Sequence, residues 1–282
     1  MADTTGAPRP GRSQAGAGRL PASTLTIGVL LPEVLGTYGD TGNAWILRER
    51  ARRRGIDAEV VSIGLDTPIP ESLDLYTMGG GEDVAQALAA SKFARDRGLR
   101  RALEAGRPLL AICASLQVLG HWYRDARGQR VAGMGVLDVT TDPQGHRSIG
   151  ELASDPLLEG LTERLTGFEN HGGGTLLGPD AAPLGRVVRG TGNGTPEGRT
   201  ALDVATDGAV QGPIIATYMH GPALARNPQL ADLLLARAPR SLGSPRLRGL
   251  ARSACSRMSR SIRCSPQVWP CSSTSCHTRR AP

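Results

Sequence analysis

The sequence predicts an α/β fold, built as a mainly parallel central sheet with helices on both faces. Three observations carry that reading. Short apolar, β-branched runs of strand length alternate with longer stretches of helical character. Those runs end in glycine or turn residues, the habit of parallel strands that hand over to loops at one sheet edge. The 282 residues hold 39% hydrophobic but only 3% aromatic side chains, so one sizeable core must be made of Leu, Val, Ile and Ala.

In chain order, residues 24–31 (TLTIGVLL) read as a strand buried on both faces. The loop YGDTGN (38–43) leads to a helix over 44–54. Strands follow at 58–63 (AEVVSI) and 73–78 (LDLYTM), the latter running into Gly79, Gly80 and Gly81. A helical stretch from Asp83 to Glu104 is expected to break at Gly98. Residues 109–112 (LLAI) form a strand ending at Cys113, and a helix is expected over 115–123. Beyond Gly133, short runs such as GVLDV (135–139), set among Gly- and Pro-rich turns, suggest a mixed or antiparallel extension of the same sheet. GFENHGGGT (167–175) reads as a polar turn. A last strand, 213–220, reaches His220, and a helix over 229–237 closes the domain, with Pro228 at its start.

The formal charge of +7 suggests a nucleic-acid or membrane partner until its distribution is read. From Pro239 to Pro282 there are nine Arg and no Asp, Glu or Lys, and the first 22 residues are also net basic. The region between is net acidic, so no nucleic-acid partner is expected. Residues 1–23 read as a disordered Gly/Pro-rich extension without a signal-peptide core, 24–238 as the folded domain, and 239–282 as a basic Arg/Ser/Cys-rich tail, solvated or out of frame. A cytoplasmic location follows. Zinc binding by Cys255, Cys264, Cys271, Cys276 and His277 lacks any C-x-x-C pair, so no metal site is expected. The single lysine, Lys92, sits in no Walker A motif, so ATP phosphates have no P-loop here.

Four segments carry chemistry. Cys113 stands where a buried strand turns directly into a helix, the logic of a nucleophile elbow with sulfur in place of a hydroxyl. The positive end of the helix dipole favours negative charge there, and the Ala114 N–H can serve as an oxyanion donor. Alone, Cys113 reads equally well as a small core thiol. The triple glycine 79–81 bares backbone N–H groups at a neighbouring strand end, so Gly80 or Gly81 is a second oxyanion donor; a tight turn would need only one glycine. His220, meeting a Gly-Pro turn, is expected exposed and free to act as base; a surface histidine is the alternative. GFENHGGGT (167–175) is either a site or a structural loop.

Taken together and in order, YGDTGN (38–43), GGGED (79–83), ICASLQVLG (112–120), GFENHGGGT (167–175) and YMHGPALARNP (218–228) resemble the cobyric-acid-synthase-like class I glutamine amidotransferases, in particular the GatD glutaminase subunits of lipid II isoglutaminyl synthases. The resemblance implies a class I amidotransferase α/β sandwich, Cys113 as nucleophile, His220 as general base, and Arg147 (in HRSIGE) as the arginine that grips the L-glutamine carboxylate. It also implies Gly80, Gly81, Ala114 and Gln117 around the substrate. It implies no cofactor in this chain, with ATP and Mg on a Mur-ligase-like partner subunit (MurT), in a heterodimer that amidates the D-glutamate α-carboxyl of lipid II at the inner face of the membrane. The chain departs from the pattern in three places. Ser115 replaces a glycine and could crowd the elbow, Glu82 replaces Gln, and Gly174 stands where Arg is usual. Pro222 occupies the position of the usual triad glutamate, so a Cys–His dyad is expected, with Glu169 a guess for the orienting group. Amidation in cobyrinic acid synthesis and a non-catalytic binding protein on the same fold are the competing readings.

Overall fold

The computed structural model of the chain describes residues 24–200 and 203–239. The readings made for residues 1–23 and for the cysteines of the tail lie outside them.

Six strands form the central sheet: β1 (Leu25–Leu30), β2 (Ala58–Ile63), β3 (Leu75–Met78), β4 (Leu109–Ile112), β11 (Ala209–Gln211) and β12 (Ile214–Thr217). Their order is β11-β12-β4-β3-β1-β2, parallel throughout except for β11. The central strands β3, β4 and β12 are buried along their whole length, which is why their sequences are continuous apolar runs rather than alternating ones. Helix α1 (Gly42–Arg53) links β1 outward to β2, whereas α2 (Asp83–Arg95) and α3 (Gly98–Glu104) link β3 to β4 in the opposite direction. Right-handed crossovers therefore put them on opposite faces. The reversal makes the crevice between the ends of β1 and β3 the expected ligand position. The register lines up Leu30, Met78 and Ala111 across β1, β3 and β4, and Ile112 with Thr217 on β12. The loops carrying Asp40, Gly80, Cys113 and His220 thus leave one edge together.

The expected helix break occurs: α2 ends at Arg95, and Asp96 Oδ1 accepts the Gly98 N–H to start α3. The expected helix over 115–123 is shorter. Helix α4 (Ala114–Leu119) stops because Gly120 lies against Val139, where a Cβ would meet the carbonyl oxygen at 2.7 Å.

Beyond Gly133 only β11 is the antiparallel extension of the central sheet that was expected; most of that region is not part of it. There is a second sheet: β5 (Trp122–Arg124), β6 (Arg130–Ala132), β7 (Val139–Pro156), β8 (Leu165–Leu177), β9 (Gly185–Arg189) and β10 (Thr206–Asp207), largely antiparallel. Its spine is the long β7–β8 hairpin, with a register shift between Pro143 and Ser148. GVLDV is mostly turn, with only Val139 in a strand, and GFENHGGGT is strand rather than turn. Glycines hid that strand: Gly173 and Gly174 are required by close neighbours, the Gln117 side chain and the backbone of 195–196. Helices α5 (Ala223–Arg226) and α6 (Pro228–Arg237) close the fold against α1, where Asp232 receives both Arg50 and Arg54 at 2.7 Å.

Candidate active site

Cys113 sits between β4 and α4 with φ 52° and ψ −105°, a left-handed backbone that a residue with a Cβ adopts only at a cost of about 1–3 kcal/mol. The turn is held from both sides. Its N–H donates to Thr217 O at 2.9 Å, and the Ser115 hydroxyl donates to Gly79 O at 2.5 Å. Ser115 therefore does not crowd the elbow; it fastens α4 to the glycine run. As the first residue of α4, Ala114 has an N–H with no intrahelical acceptor, free to face an oxyanion beside the sulfur.

His220 lies three residues beyond β12, the strand next to β4. It is buried, not exposed at the edge as expected, with 1% of its surface accessible. The chain returns from β12 and pairs with β8, His220 N–H donating to Phe168 O at 2.8 Å. Its orienting group is Asp40, from the YGDTGN loop. Asp40 Oδ2 accepts from His220 Nδ1 at 2.8 Å and from the Gly80 N–H at 2.8 Å, while Oδ1 faces the Gly221 N–H at 3.3 Å. A carboxylate only accepts, so Nδ1 carries a proton and Nε2 is the working nitrogen. Burial pushes the imidazole down, but the bond to Asp40 and then the neighbouring Cys113 outweigh it, and its pKa is pushed up to about 10. Nε2 is buried and forms no hydrogen bond of normal geometry, so the thiol is its neighbour rather than a bonded partner.

A dyad without an aspartate is thus replaced by a Cys113–His220–Asp40 arrangement. The glycine run is explained as well: a Cβ on Gly80 would meet His220 Cε1 at 2.5 Å, and one on Gly79 would meet Leu35 O at 2.2 Å. Gly80 N–H, expected as an oxyanion donor, is committed to Asp40.

The CobB/CobQ-like glutamine amidotransferase domain matches residues 26–228. The chain is 34% identical to the lipid II isoglutaminyl synthase (glutamine-hydrolyzing) subunit GatD of Staphylococcus aureus, over 78% of this chain and 87% of that protein. It is 33% identical to the GatD subunit of Streptococcus pneumoniae, over 76% and 80%. A cobyric acid synthase of Methylorubrum populi is 32% identical over 59% of this chain but only 32% of its own length. The chain belongs to the CobB/CobQ-like glutamine amidotransferase family. It is a glutamine-hydrolysing amidotransferase of the GatD kind.

Around the amidotransferase centre, Glu169 is not the orienting group. It is buried, receiving the Thr191 and Gly192 N–H groups at 2.7 and 2.8 Å and facing His171 Nε2 at 3.4 Å. Burial pushes its carboxyl up, but His171 and those two amides hold it below the usual range. Arg147 lies within β7, in the irregular stretch between Pro143 and Ser148, exposed; its Nε donates to Asn170 Oδ1 at 2.5 Å. It lines an open groove of about 490 Å³ shared with His146, Glu169 and Arg189. Gln117, one turn into α4, accepts from Gln86 at 2.6 Å and donates to the Tyr218 hydroxyl at 3.0 Å, so both ends of its amide are held by protein. The missing arginine at Gly174 also has a cause: a side chain there would meet Pro196 N at 2.5 Å. No group of three or more His, Cys, Asp or Glu among the described residues could hold a metal, and no described helix is long and apolar enough to cross a membrane.

The sequence missed Asp40 because its loop reads as ordinary turn chemistry, and its partner is 180 positions away. The signal was present: the first strand of a parallel sheet ends in a loop with an acidic residue next to the switch point.

Proposed function

We propose that this chain is the glutaminase subunit of a lipid II isoglutaminyl synthase, working through Cys113, His220 and Asp40. The observation that carries it is the buried Asp40–His220 pair beside a thiol on a strained strand-to-helix turn. The Cys113 thiolate attacks the carboxamide carbon of L-glutamine. Charge develops on the carboxamide oxygen, toward the Ala114 and Gly81 N–H groups. His220, charged at neutral pH, gives its Nε2 proton to the departing nitrogen, and ammonia leaves a glutamyl thioester. Neutral His220 then takes a proton from water as the hydroxide attacks the thioester; collapse returns the thiolate and the imidazolium and releases glutamate. Asp40 holds the ring and its charge throughout.

The two terminal nitrogens of Arg147 suit the glutamine α-carboxylate, since Asn170 already anchors Nε. Gln117, one turn after Cys113, has its amide held between Gln86 and Tyr218 and supports the elbow from α4. This chain needs no cofactor for that chemistry. The ammonia acceptor is activated on a Mur-ligase-like partner subunit that holds ATP and Mg, in a heterodimer, and lipid II is reached in the cytoplasm through that partner. The test is glutamate release from glutamine by the chain, alone and coexpressed with such a partner, followed by amidation of lipid II. Cys113→Ala should abolish both while the complex still forms. Glutamine turnover by Cys113→Ala would remove the assignment of the nucleophile, and amidation that is unchanged without this chain would remove the assignment of the subunit.

A further inference from the structure

The catalytic pair is closed off. Cys113 is 7% and His220 1% exposed, so the pair has little open surface of its own. Among the groups around His220, one is an exposed ring. Tyr38, 41% exposed, stands with its edge on the imidazole, ring centroids 4.9 Å apart and planes at 68°. Its backbone is left-handed, φ 61°, in a loop where Gly39 follows with φ 79°. A bulky residue holds such a conformation only when its surroundings impose it.

Those surroundings are one hydrogen-bonded line. Asn170 Nδ2 donates to the Tyr38 hydroxyl at 2.5 Å, and Asn170 Oδ1 accepts from Arg147 Nε at 2.5 Å. The single amide uses both of its ends, so it cannot turn without breaking both bonds. The line therefore runs from the surface arginine, through Asn170, to the ring that covers the catalytic histidine.

We propose that Tyr38 is a positioning residue and movable cover for the thiol, tied through Asn170 to Arg147 so that seating of the substrate carboxylate and access to Cys113 are linked. This rests on the reading of Arg147 as the glutamine carboxylate site. A carboxylate on the terminal nitrogens of Arg147 leaves Nε on Asn170, so a seated substrate steadies the guanidinium, the amide and, through it, the Tyr38 ring, whereas the empty site lets the ring swing away. When the substrate is seated, the ring returns against His220 and shields the thioester from bulk water.

The test follows two quantities in the full-length chain with its ligase partner. The first is the rate at which iodoacetamide labels Cys113, read on the Cys113 peptide by mass spectrometry so that the tail cysteines do not interfere. Tyr38→Ala should raise this rate about tenfold or more, and Tyr38→Phe, which keeps the ring but loses the tie, should raise it less. The second is the split between kcat and KM. Tyr38→Phe should raise the glutamine KM about fivefold, the worth of one net hydrogen bond, with kcat within about twofold. Asn170→Ala should do the same, and the double variant should add nothing further. Labelling of Tyr38→Ala at the wild-type rate, an unchanged KM in Tyr38→Phe, or additive effects in the double variant would each overturn the proposal. If the wild-type complex releases no glutamate at all, while labelling still depends on Tyr38, the glutaminase reading fails and the cover stands.

Discussion

Replacing Asp40 with asparagine changes no volume and one atom's chemistry. The carboxylate now takes hydrogen bonds from His220 Nδ1, Gly80 N–H and, at longer range, Gly221 N–H. In asparagine one of the two oxygens becomes a donor, and it must face at least one of those N–H groups. The step from the ordinary 6.5 to about 10 for His220 corresponds to about 5 kcal/mol in favour of the charged ring. Burial works against that, and the Asp40 bond is the largest favourable cause. Losing a hydrogen bond to a buried charge costs about 3 kcal/mol, or about a hundredfold in rate, and losing the fixed tautomer adds to it. We expect kcat for glutamine hydrolysis to fall by about 10²–10⁴ with KM little changed. We also expect the alkaline limit of kcat to move from near pH 10 toward neutrality. Glutamate release coupled to glutamate dehydrogenase measures the first, and the same assay across pH the second. Circular dichroism and a thermal melt establish that the variant is folded. A folded Asp40→Asn protein with kcat within about fivefold of wild type and an unmoved alkaline limit would refute the role given to Asp40.

Gly80→Ala should cost about 1–3 kcal/mol of stability and at least about a hundredfold in kcat, because its Cβ would have to displace the His220 ring 2.5 Å away; a wild-type melt and rate would contradict the packing described. Cys113→Gly should be inactive yet melt no lower than wild type, since relief of the left-handed backbone offsets the lost sulfur contacts; a clear drop in melting temperature would argue that the turn is unstrained. Arg147→Ala should raise the glutamine KM about tenfold or more with a smaller effect on kcat, and an unchanged KM would free Arg147 from substrate binding. The pKa of His220 is raised in the folded state, so its contribution to stability is complete below about pH 6.5 and is lost as pH climbs toward 10. The melting-temperature gap between wild type and His220→Gln should narrow over that interval, and a gap that widens would reverse the sign.

The central sheet was legible because strands buried on both faces carry near-continuous apolar runs, as LTIGVL and LLAI do. The elbow was legible for a related reason: Cys113 follows such a strand with no loop between it and the helix. The second sheet was not. Its β8 strand carries Gly172, Gly173 and Gly174, which propensity reads as turn, and only the Gln117 side chain and the 195–196 backbone pressed against two of them explain their place in a strand. The partner of His220 was hidden differently. Local spacing pointed to position 222, a proline, and then to Glu169, which serves the 191–192 loop instead. What joins Asp40 to His220 is sheet order, a property that appears only once β1, β3, β4 and β12 lie side by side.

That distance along the chain has a consequence for how the protein comes into being. The reactive trio draws on positions 40, 113 and 220. While the chain is being synthesised, the cysteine emerges more than a hundred residues before its base, so it spends that interval as an ordinary thiol. The last contacts, among them Leu224 N–H on Asn43 Oδ1 at 2.9 Å, bring the end of the domain back to the loop where it began. If these three residues carry the reaction, reactivity toward glutamine reports that the whole domain has closed, and a nicked or half-folded molecule lacks it.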